Sequence, residues 1–534
     1  MKALDKEILR LALPSILANI TVPLVGLVDT AVAGHLHDAA GSSAEFIGGI
    51  SVGALILSVI YWNFAFLRAS TGGLTAQAYG RGGSSHPASE LRSLRSLRPL
   101  PSQATGPSPC AENGVPENLP IFGVHFPGVD RSSAGCALPP PSECNLILLR
   151  GLKLALGFAV LMVVAGWPLS RLSLIFRSAT PGVAALAAQY ILIRIWAAPA
   201  TLCLMVFKGW FIGMQDTRSS MFTDLTVNII NIAASIILTL GIGNWPGLGF
   251  PGIALGTVIA QWSGLLLAYF ICFRKYGILC SGKRPDFGTN TSKTEGLFRK
   301  SGSFLRLNTD LFVRSLCMTG IYFGYTIIAS RYGETMLACA NIMMNLLMLF
   351  SYFTDGFAYA GEALTGRFIG ESNQEMLRRS VQGTFRWSFG VAGIWVLIYW
   401  LAGAPMLHWM TDDAVVVDAC RQFLPWLLVM PLVGCAAFTW DGIFIGATAS
   451  KGIRNSMIAA LATFFAVWFA GQALLSAFAG ITATTSVISS VAAGIAPAPA
   501  IHLLMAAYFA HLLARTVCLS GRYKTNVLNN RQEI

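Results

Sequence analysis

Leu74-Thr75-Ala76-Gln77-Ala78-Tyr79-Gly80 returns in the second half of the chain as Leu364-Thr365-Gly366-Arg367-Phe368-Ile369-Gly370. A second pair of matching segments, Phe211-Ile212-Gly213 and Phe444-Ile445-Gly446, follows in the same order. All four segments lie at the ends of long apolar stretches, and repetition at corresponding positions indicates a duplicated architecture. The sequence therefore predicts a membrane protein built from two related halves.

The composition agrees with a chain that lies in a lipid bilayer. Of its 534 residues, 54% are hydrophobic and only 12% are charged, whereas about 25% are charged in typical soluble domains. Twelve apolar stretches are long enough to cross a hydrocarbon core of about 30 Å. We predict spans at 9–34, 46–70, 146–168, 183–207, 221–241, 250–273, 309–330, 336–361, 381–403, 416–440, 453–475 and 497–518.

The positions of the basic residues predict how the chain is oriented in the membrane. With both termini in the cytoplasm, 31 of the 37 Lys and Arg residues fall on cytoplasmic segments. Only Arg171, Arg177 and Arg331 fall on outside loops. This is the bias that the positive-inside rule describes, so the net charge of +12 reflects membrane topology. Nucleic-acid binding would require a soluble basic face, and none is indicated.

Each half should contain six spans. We predict an N-terminal lobe over 1–275, a cytoplasmic connector over 276–304 and a C-terminal lobe over 305–534. The first half also has an insertion over about 81–145 with eleven prolines. Its composition predicts a flexible cytoplasmic loop. An even number of spans per half places the symmetry axis along the membrane normal, with a substrate path between the lobes.

Asp29 is the main candidate for a functional group in the first half, because it is the only carboxylate within the first span. A charged group costs about 2.5–3.5 kcal/mol at the bilayer centre, and burial favours the neutral form of a carboxyl. Pro14 and Pro23 lie in the same span and can bend its helix. A bendable helix with a titratable carboxyl suits proton-driven gating. A solvated Asp at the outer interface is the alternative.

Asn228 and Asn231 are three residues apart in the fifth span and therefore share a helix face. They are candidates for hydrogen bonding to Asp29. Binding to a neighbouring helix is an equally open alternative.

The second half contains more carboxylates. Asp355 and Glu362 lie about two turns apart on one face of the eighth span, and either is available as a counter-charge for Arg68 or Arg194. Asp441 occupies the position in its repeat that Lys208 occupies in the first repeat. We predict that Lys208 and Asp441 pair across the lobe interface and stabilise one gate, with two solvated helix ends as the alternative.

Several motifs resemble the multidrug and toxic compound extrusion (MATE) transporters, in particular their DNA-damage-inducible branch. The residues that carry the resemblance are Arg10-Leu11-Ala12-Leu13-Pro14, Asn19-Ile20-Thr21-Val22-Pro23, Gly26-Leu27-Val28-Asp29-Thr30-Ala31, Leu74-Thr75-Ala76-Gln77-Ala78, Asp355-Gly356-Phe357-Ala358-Tyr359-Ala360, Asp441-Gly442-Ile443-Phe444-Ile445-Gly446-Ala447-Thr448 and Arg454-Asn455-Ser456-Met457. The resemblance covers nearly the whole chain apart from about 81–145 and 476–500.

The resemblance implies an all-α fold of twelve transmembrane helices in two pseudo-symmetric six-helix lobes. It also implies export of organic, cationic or amphiphilic compounds in exchange for H+ or Na+, with Asp29 as the proton-handling carboxylate. Asp355, Glu362 and Asp441 are further candidates for coupling. The family commonly has an Asp four residues after the fifth-span Asn, but Ser235 stands at that position here. This difference leaves a two-carboxylate proton site in doubt.

The expected partners are a small organic substrate and membrane lipid, for a monomeric protein in a bacterial inner membrane with no cofactor and no metal site. A lipid-linked precursor flippase and an organic-anion exporter remain alternatives of similar architecture. A membrane-embedded enzyme is a third class, since Asp412 and Asp413 form an acid pair of the kind that holds Mg2+. No nucleotide-binding motif supports an enzyme.

Overall fold

The computed structural model describes residues 3–36, 43–84, 142–172, 181–277, 292–482 and 497–529. In this part of the chain the secondary structure consists of fifteen α-helices, a 3₁₀ helix at Ile195–Ala197 and a π-helical segment at Lys524–Leu528. The α-helices are α1 Ala3–Gly34, α2 Ser43–Asn63, α3 Phe66–Ser84, α4 Ser142–Arg171, α5 Pro181–Arg194, α6 Ala198–Gly213, α7 Thr217–Leu240, α8 Phe250–Tyr276, α9 Ser292–Ser330, α10 Glu334–Gly370, α11 Gln374–Met410, α12 Ala414–Arg421, α13 Leu424–Gly446, α14 Ser450–Thr482 and α15 Pro497–Tyr523.

Twelve membrane spans are confirmed within the described residues, by helix length and apolar composition. Two spans are each made of two helices, α2 with α3 and α5 with α6. Most helices extend beyond the apolar stretches that predict them; the eighth, for example, covers Glu334–Gly370 instead of 336–361. The predicted start of the tenth span at 416 is wrong. Residues 414–421 form the separate helix α12, and the span begins at Leu424.

The helix packing of the first half recurs in the second half. In the first half α1 packs on α7, α7 on α8, α3 on α6 and α4 on α6. In the second half α9 packs on α14, α14 on α15, α10 on α13 and α11 on α13. Each pair occupies the same position in its own repeat, so the two lobes share one architecture.

The lobes meet mainly where α10 packs against α1 and α3. Gly356 of α10 makes close packing possible, because a Cβ at this position would lie 2.3 Å from Ile16 of α1. On α1, the inter-lobe hydrogen bonds and ion pairs run from Asp5 to Asn19, in the half of the helix next to the N-terminus. The lobes are therefore closed at the end that carries the N-terminus.

Two predictions concern residues with little or no description. The predicted flexible insertion over 81–145 falls largely outside the described residues, since α3 extends to Ser84 and α4 begins at Ser142. The predicted connector over 276–304 is helical from Ser292, where α9 begins. The exact lobe boundaries stay predictions.

Candidate functional site

Asp29 lies inside the N-terminal lobe, with only 6% of its surface exposed. Arg194 of α5 interacts with its carboxyl electrostatically, and the Ser235 hydroxyl of α7 lies beside it. Arg194 in turn donates a short hydrogen bond to the Tyr190 hydroxyl one helical turn earlier. The alternative of a solvated Asp at the interface is therefore wrong.

Both the Asp29 carboxyl and the α7 face that carries Ser235 contain buried oxygen atoms without hydrogen-bond partners. Oδ1 of Asp29 has none, and neither do the hydroxyls of Ser235 and Thr239 or the side-chain oxygen of Asn231, which follow one another at one-turn intervals on α7. Buried polar atoms are normally hydrogen-bonded, so a group of unpaired oxygens is a costly arrangement. A proton, a cation or water would lower that cost.

Asn228 and Asn231 bind neighbouring helices instead of Asp29. Asn228 Nδ2 donates to Thr21 Oγ1 of α1 at 2.6 Å. Asn231 Nδ2 donates to Thr257 Oγ1 of α8 at 3.0 Å. These bonds leave Asn231 Oδ1 unpaired, as an acceptor close to Ser235 one turn along the same helix.

Both prolines of the first span lie within the single helix α1. A proline in a helix leaves the carbonyl four residues earlier without its usual donor. For Pro14 that carbonyl belongs to Arg10, and it accepts a hydrogen bond from Thr217 Oγ1 at 3.4 Å. The Arg10 carbonyl that Pro14 leaves without a helical donor therefore links α1 to α7, the helix that also carries Ser235.

Glu362 and Arg68 form an ion pair between the lobes. Arg68 Nη1 of α3 donates to Glu362 Oε2 of α10 at 2.9 Å, and the glutamate side chain is completely buried. The Arg68 guanidinium also stacks over the Tyr359 ring, 4.5 Å from its centroid. This confirms Glu362 as the counter-charge of Arg68.

Asp355 is half-buried on α10 and faces several cations. Arg68, Arg314 and Arg515 all interact with it electrostatically. None of them forms an ion pair with it within 4 Å in the described part of the chain. Asp355 is thus the carboxylate of this region that remains available to a proton or a cationic group.

The predicted pairing of Lys208 with Asp441 is wrong, because each side chain has partners in its own lobe. Lys208 Nζ lies 2.7 Å from Asp224 Oδ2 of α7. Asp441 accepts hydrogen bonds from Arg314 of α9 at 2.5 Å and from Arg515 of α15. Arg515 is only 1% exposed, so Asp441 sits at the centre of a buried cluster with two guanidiniums.

The closed end of the molecule is built from the two sequence repeats. A Cβ on Gly80 of α3 would lie 2.1 Å from the Arg367 carbonyl oxygen of α10. A Cβ on Gly370 would lie 2.2 Å from the Gln77 carbonyl oxygen. Gly80 and Gln77 of the first repeat correspond to Gly370 and Arg367 of the second, so the two contacts are equivalent. Because these glycines have no side chain, the backbones of α3 and α10 can touch where the helices cross, next to the symmetry axis.

Side-chain hydrogen bonds reinforce this crossing. Gln77 Nε2 donates to the Gly446 carbonyl at 2.9 Å and to Thr448 Oγ1 at 3.1 Å. In the reverse direction, Gln215 Nε2 donates to the Ala363 carbonyl of α10 at 2.7 Å. Gln215 and Thr448 are equivalent in the repeats and both have a positive φ, 62° and 52°. The helix that ends in Phe-Ile-Gly in each repeat is thus followed by a left-handed turn that contacts the other lobe.

Asp216 connects this turn to α7 and α8. Its side chain accepts hydrogen bonds from Ser219 Oγ at 2.5 Å, Lys275 Nζ at 2.7 Å and Tyr276 Oη at 2.7 Å. Burial would raise the pKa of Asp216, but the Lys275 ammonium and these hydrogen bonds lower it below its ordinary value.

Some functional residues were not predicted from the sequence. Arg314 and Arg515 were assigned only to the basic cytoplasmic side, yet both are partners of Asp441. The acid pair Asp412-Asp413 has a structural role, since Asp413 caps α12 by accepting hydrogen bonds from the Val415 and Val416 amides. No cluster of three or more His, Cys, Asp or Glu side chains suited to a metal occurs in the residues that the structure describes.

Twelve membrane spans in two lobes of matching helix packing form the duplicated architecture that many membrane transporters share. The family model described as MatE matches residues 141–237 and 311–454. DNA damage-inducible protein F of Escherichia coli strain K12 is 32% identical over 86% of this chain and 84% of its own length. The chain therefore belongs to the MATE family, in its DNA-damage-inducible branch, and is a transporter and not an enzyme.

Other relatives and solved structures agree with this assignment. A probable multidrug resistance protein NorM of Photorhabdus laumondii is 25% identical over 61% of this chain and 68% of its own length. A MATE transporter solved in the bent conformation has a TM-score of 0.69 at 16% identity and covers 99% of this chain and 97% of its own. An outward-facing multidrug resistance MATE transporter has a TM-score of 0.68 at 16% identity, with the same coverage of both chains. These structures support the fold.

Proposed function

We propose that this protein is a secondary antiporter that exports organic, cationic or amphiphilic compounds in exchange for protons by alternating access of the two lobes. Its family transports small organic substrates, so the proposal concerns the coupling and the class of compound. The observation that supports this proposal most directly is that the Asp29 carboxyl is buried and that its Oδ1 has no hydrogen-bond partner.

The environment of Asp29 suits a group that gains and loses a proton. The ionised form lacks hydrogen-bond donors at Oδ1 and is removed from water, which favours protonation. Arg194 favours the ionised form, because its guanidinium interacts with the carboxyl. These opposing effects let a small rearrangement of α1, α5 or α7 change the proton affinity of Asp29.

The closed end of the lobes supports an alternating-access cycle. Under the predicted topology, the closed end, which carries the N-terminus, faces the cytoplasm, and separation of the lobes at the opposite end would expose the substrate path to the outside. Uptake of a proton by Asp29 would then accompany release of the substrate. The crossing of α3 over α10 would have to separate for the substrate site to open inward. Solved MATE structures of this fold are described as bent and straight. In this chain, Pro14 and Pro23 are the positions at which α1 could bend during the cycle.

Sodium is the alternative coupling ion. The side-chain oxygens of Asp29, Asn231, Ser235 and Thr239 are hard donors of the type that binds Na+. Arg194 already places a positive charge beside Asp29, and a second cation would be repelled by it. A proton adds no bulk and forms a covalent bond with the carboxylate, so the geometry supports H+ better.

The test is transport by the purified protein in vesicles with an imposed pH gradient, with the organic cation ethidium as the probe. We expect Asp29→Asn to abolish transport driven by the pH gradient, because an amide carries no exchangeable charge. Asp418→Asn is the matched control, since Asp418 is an exposed carboxylate of α12. Transport by Asp29→Asn at the wild-type rate contradicts the proposal. Dependence on a Na+ gradient at constant pH would assign the coupling to sodium.

Organic-anion export is a second candidate function, favoured by the cluster around Asp441. Two guanidiniums face one carboxylate there, and Arg314 Nε is buried without a hydrogen-bond partner. The half-buried Asp355 supplies the balancing negative charge. If anions are carried, Asp355→Asn should increase uptake of an organic anion such as a bile salt and decrease that of ethidium. The opposite pattern excludes this alternative.

A further inference from the structure

Two buried thiols face each other at the end of the C-terminal lobe that is remote from the N-terminus. Cys339 lies in the second turn of α10, and Cys420 lies in the last turn of the short helix α12. Both side chains are completely buried in the apolar core of this lobe. They belong to elements that are far apart in sequence.

Several contacts hold Cys339 over the inner face of α12. Cys339 Sγ lies 3.6 Å from the carbonyl oxygen of Val416, one helical turn before Cys420. Cys420 follows Val416 by one turn on the same face of α12, so its thiol lies on the side of α12 that Cys339 covers. Tyr325 of α9 packs against both and donates its hydroxyl to the carbonyl of Ala340 at 3.2 Å. Side chains that meet in this way can be joined with little movement of the backbone.

The compartment that these thiols face follows from the predicted topology. Both α12 and the start of α10 lie at the end opposite to the N-terminus, which the basic residues place outside the cytoplasm. Disulfides form and persist in extracytoplasmic compartments, whereas cytosolic thiols stay reduced.

We propose that Cys339 and Cys420 form a disulfide that fastens α12 to α10 on the outer side of the C-terminal lobe. The two thiols lose two protons and two electrons, and one S–S bond forms. The electrons reduce a disulfide oxidant of that compartment, such as a dithiol oxidase, to its dithiol form through a mixed disulfide.

Oxidation belongs to the folding stage of the protein. Both thiols are completely buried in the folded, reduced chain, so a disulfide oxidant cannot reach them there. The bond forms while α12 is still accessible.

The bond fixes an element that has few other attachments. Helix α12 has only eight residues and connects α11 to α13. A crosslink from α12 to α10 closes a loop that includes all of α11, and disulfides that close long loops restrict the unfolded chain most.

The test uses the full-length protein isolated from membranes without reductant and denatured in the presence of N-ethylmaleimide, so that buried free thiols are alkylated as soon as they become accessible. Peptide mass spectrometry should show the Cys339 and Cys420 peptides joined before reduction and separate after it. Cys339→Ser should release Cys420 as a free thiol, whereas Cys435→Ser, at another buried cysteine of the same lobe, should leave the crosslink intact. Recovery of both wild-type cysteines in the alkylated form overturns the proposal.

A second measurement does not depend on how well the single variants fold. Reduction should lower the thermal midpoint of the wild-type protein and leave that of the Cys339→Ala, Cys420→Ala double variant unchanged. Equal shifts in both proteins would show that reduction acts elsewhere, which also contradicts the proposal.

Discussion

Substitution of a repeated glycine should open the closed end of the transporter. An alanine Cβ at Gly80 would lie 2.1 Å from the Arg367 carbonyl oxygen, whereas real Cβ contacts essentially never fall below 3.0 Å. Helices α3 and α10 would have to separate by roughly 1 Å, and overpacking of this kind costs about 2 kcal/mol. Because about 1.4 kcal/mol corresponds to a factor of ten, the closed arrangement should lose roughly 25-fold in population relative to the open one.

The equivalent glycine of the second repeat, Gly370, allows the same prediction to be tested at a second position. Gly370→Ala meets the Gln77 carbonyl oxygen at 2.2 Å and should have nearly the same effect as Gly80→Ala. Gly393→Ala in α11 is the control, because no atom lies within 4 Å of its added Cβ. The helix-stabilising effect of alanine is common to all three variants and acts on both arrangements equally.

The assay is double electron–electron resonance between spin labels at Arg218 and Gln374, which are exposed residues of opposite lobes near the closed end. Wild type and Gly393→Ala should show mainly the short distance. Gly80→Ala and Gly370→Ala should show a population at longer distance. If Gly80→Ala keeps the wild-type distribution, the helix crossing is not the closing contact.

Two further substitutions test individual charges. Glu362→Gln leaves Arg68 without its counter-charge and should weaken lobe closure by about 2–3 kcal/mol, seen as longer distances in the same assay; an unchanged distribution would show that the pair is not a lock. Asp216→Asn keeps a capping oxygen on α7 but removes the charged partner of Lys275, at a cost of up to about 1 kcal/mol. Since the folded pKa of Asp216 is lowered, its contribution is fully present above the ordinary pKa and is lost as pH falls through the folded value. Thermal midpoints of wild type and variant should thus differ at neutral pH and converge below about pH 4; a constant difference would contradict this sign.

The sequence repeats predicted the duplicated fold, but not which repeated residues touch. Residues related by a two-fold axis meet only when they lie close to that axis. Gly80 and Gly370 do so, which brings each next to the other helix. Lys208 and Asp441 lie away from the two-fold axis. They are equivalent in sequence, but each stays in its own lobe and has its own partner there.

Buried cations were the hardest part of the site to predict. Hydropathy assigns an arginine to a membrane surface because it scores each residue alone. Arg515 is buried because Asp441 balances its charge, and the two are distant in sequence. Ser235 was noticed only as a departure from the family pattern, yet the structure places it beside Asp29.

Proton release on substrate binding tests the central claim most directly, because it measures competition between H+ and substrate without a membrane. The purified protein is mixed with ethidium in weakly buffered detergent that contains a pH-indicator dye. The account predicts that wild type acidifies the solution when ethidium binds, and that Asp29→Asn binds ethidium with little or no release of protons. Equal proton release by wild type and Asp29→Asn would contradict the assignment of the exchanged proton to Asp29.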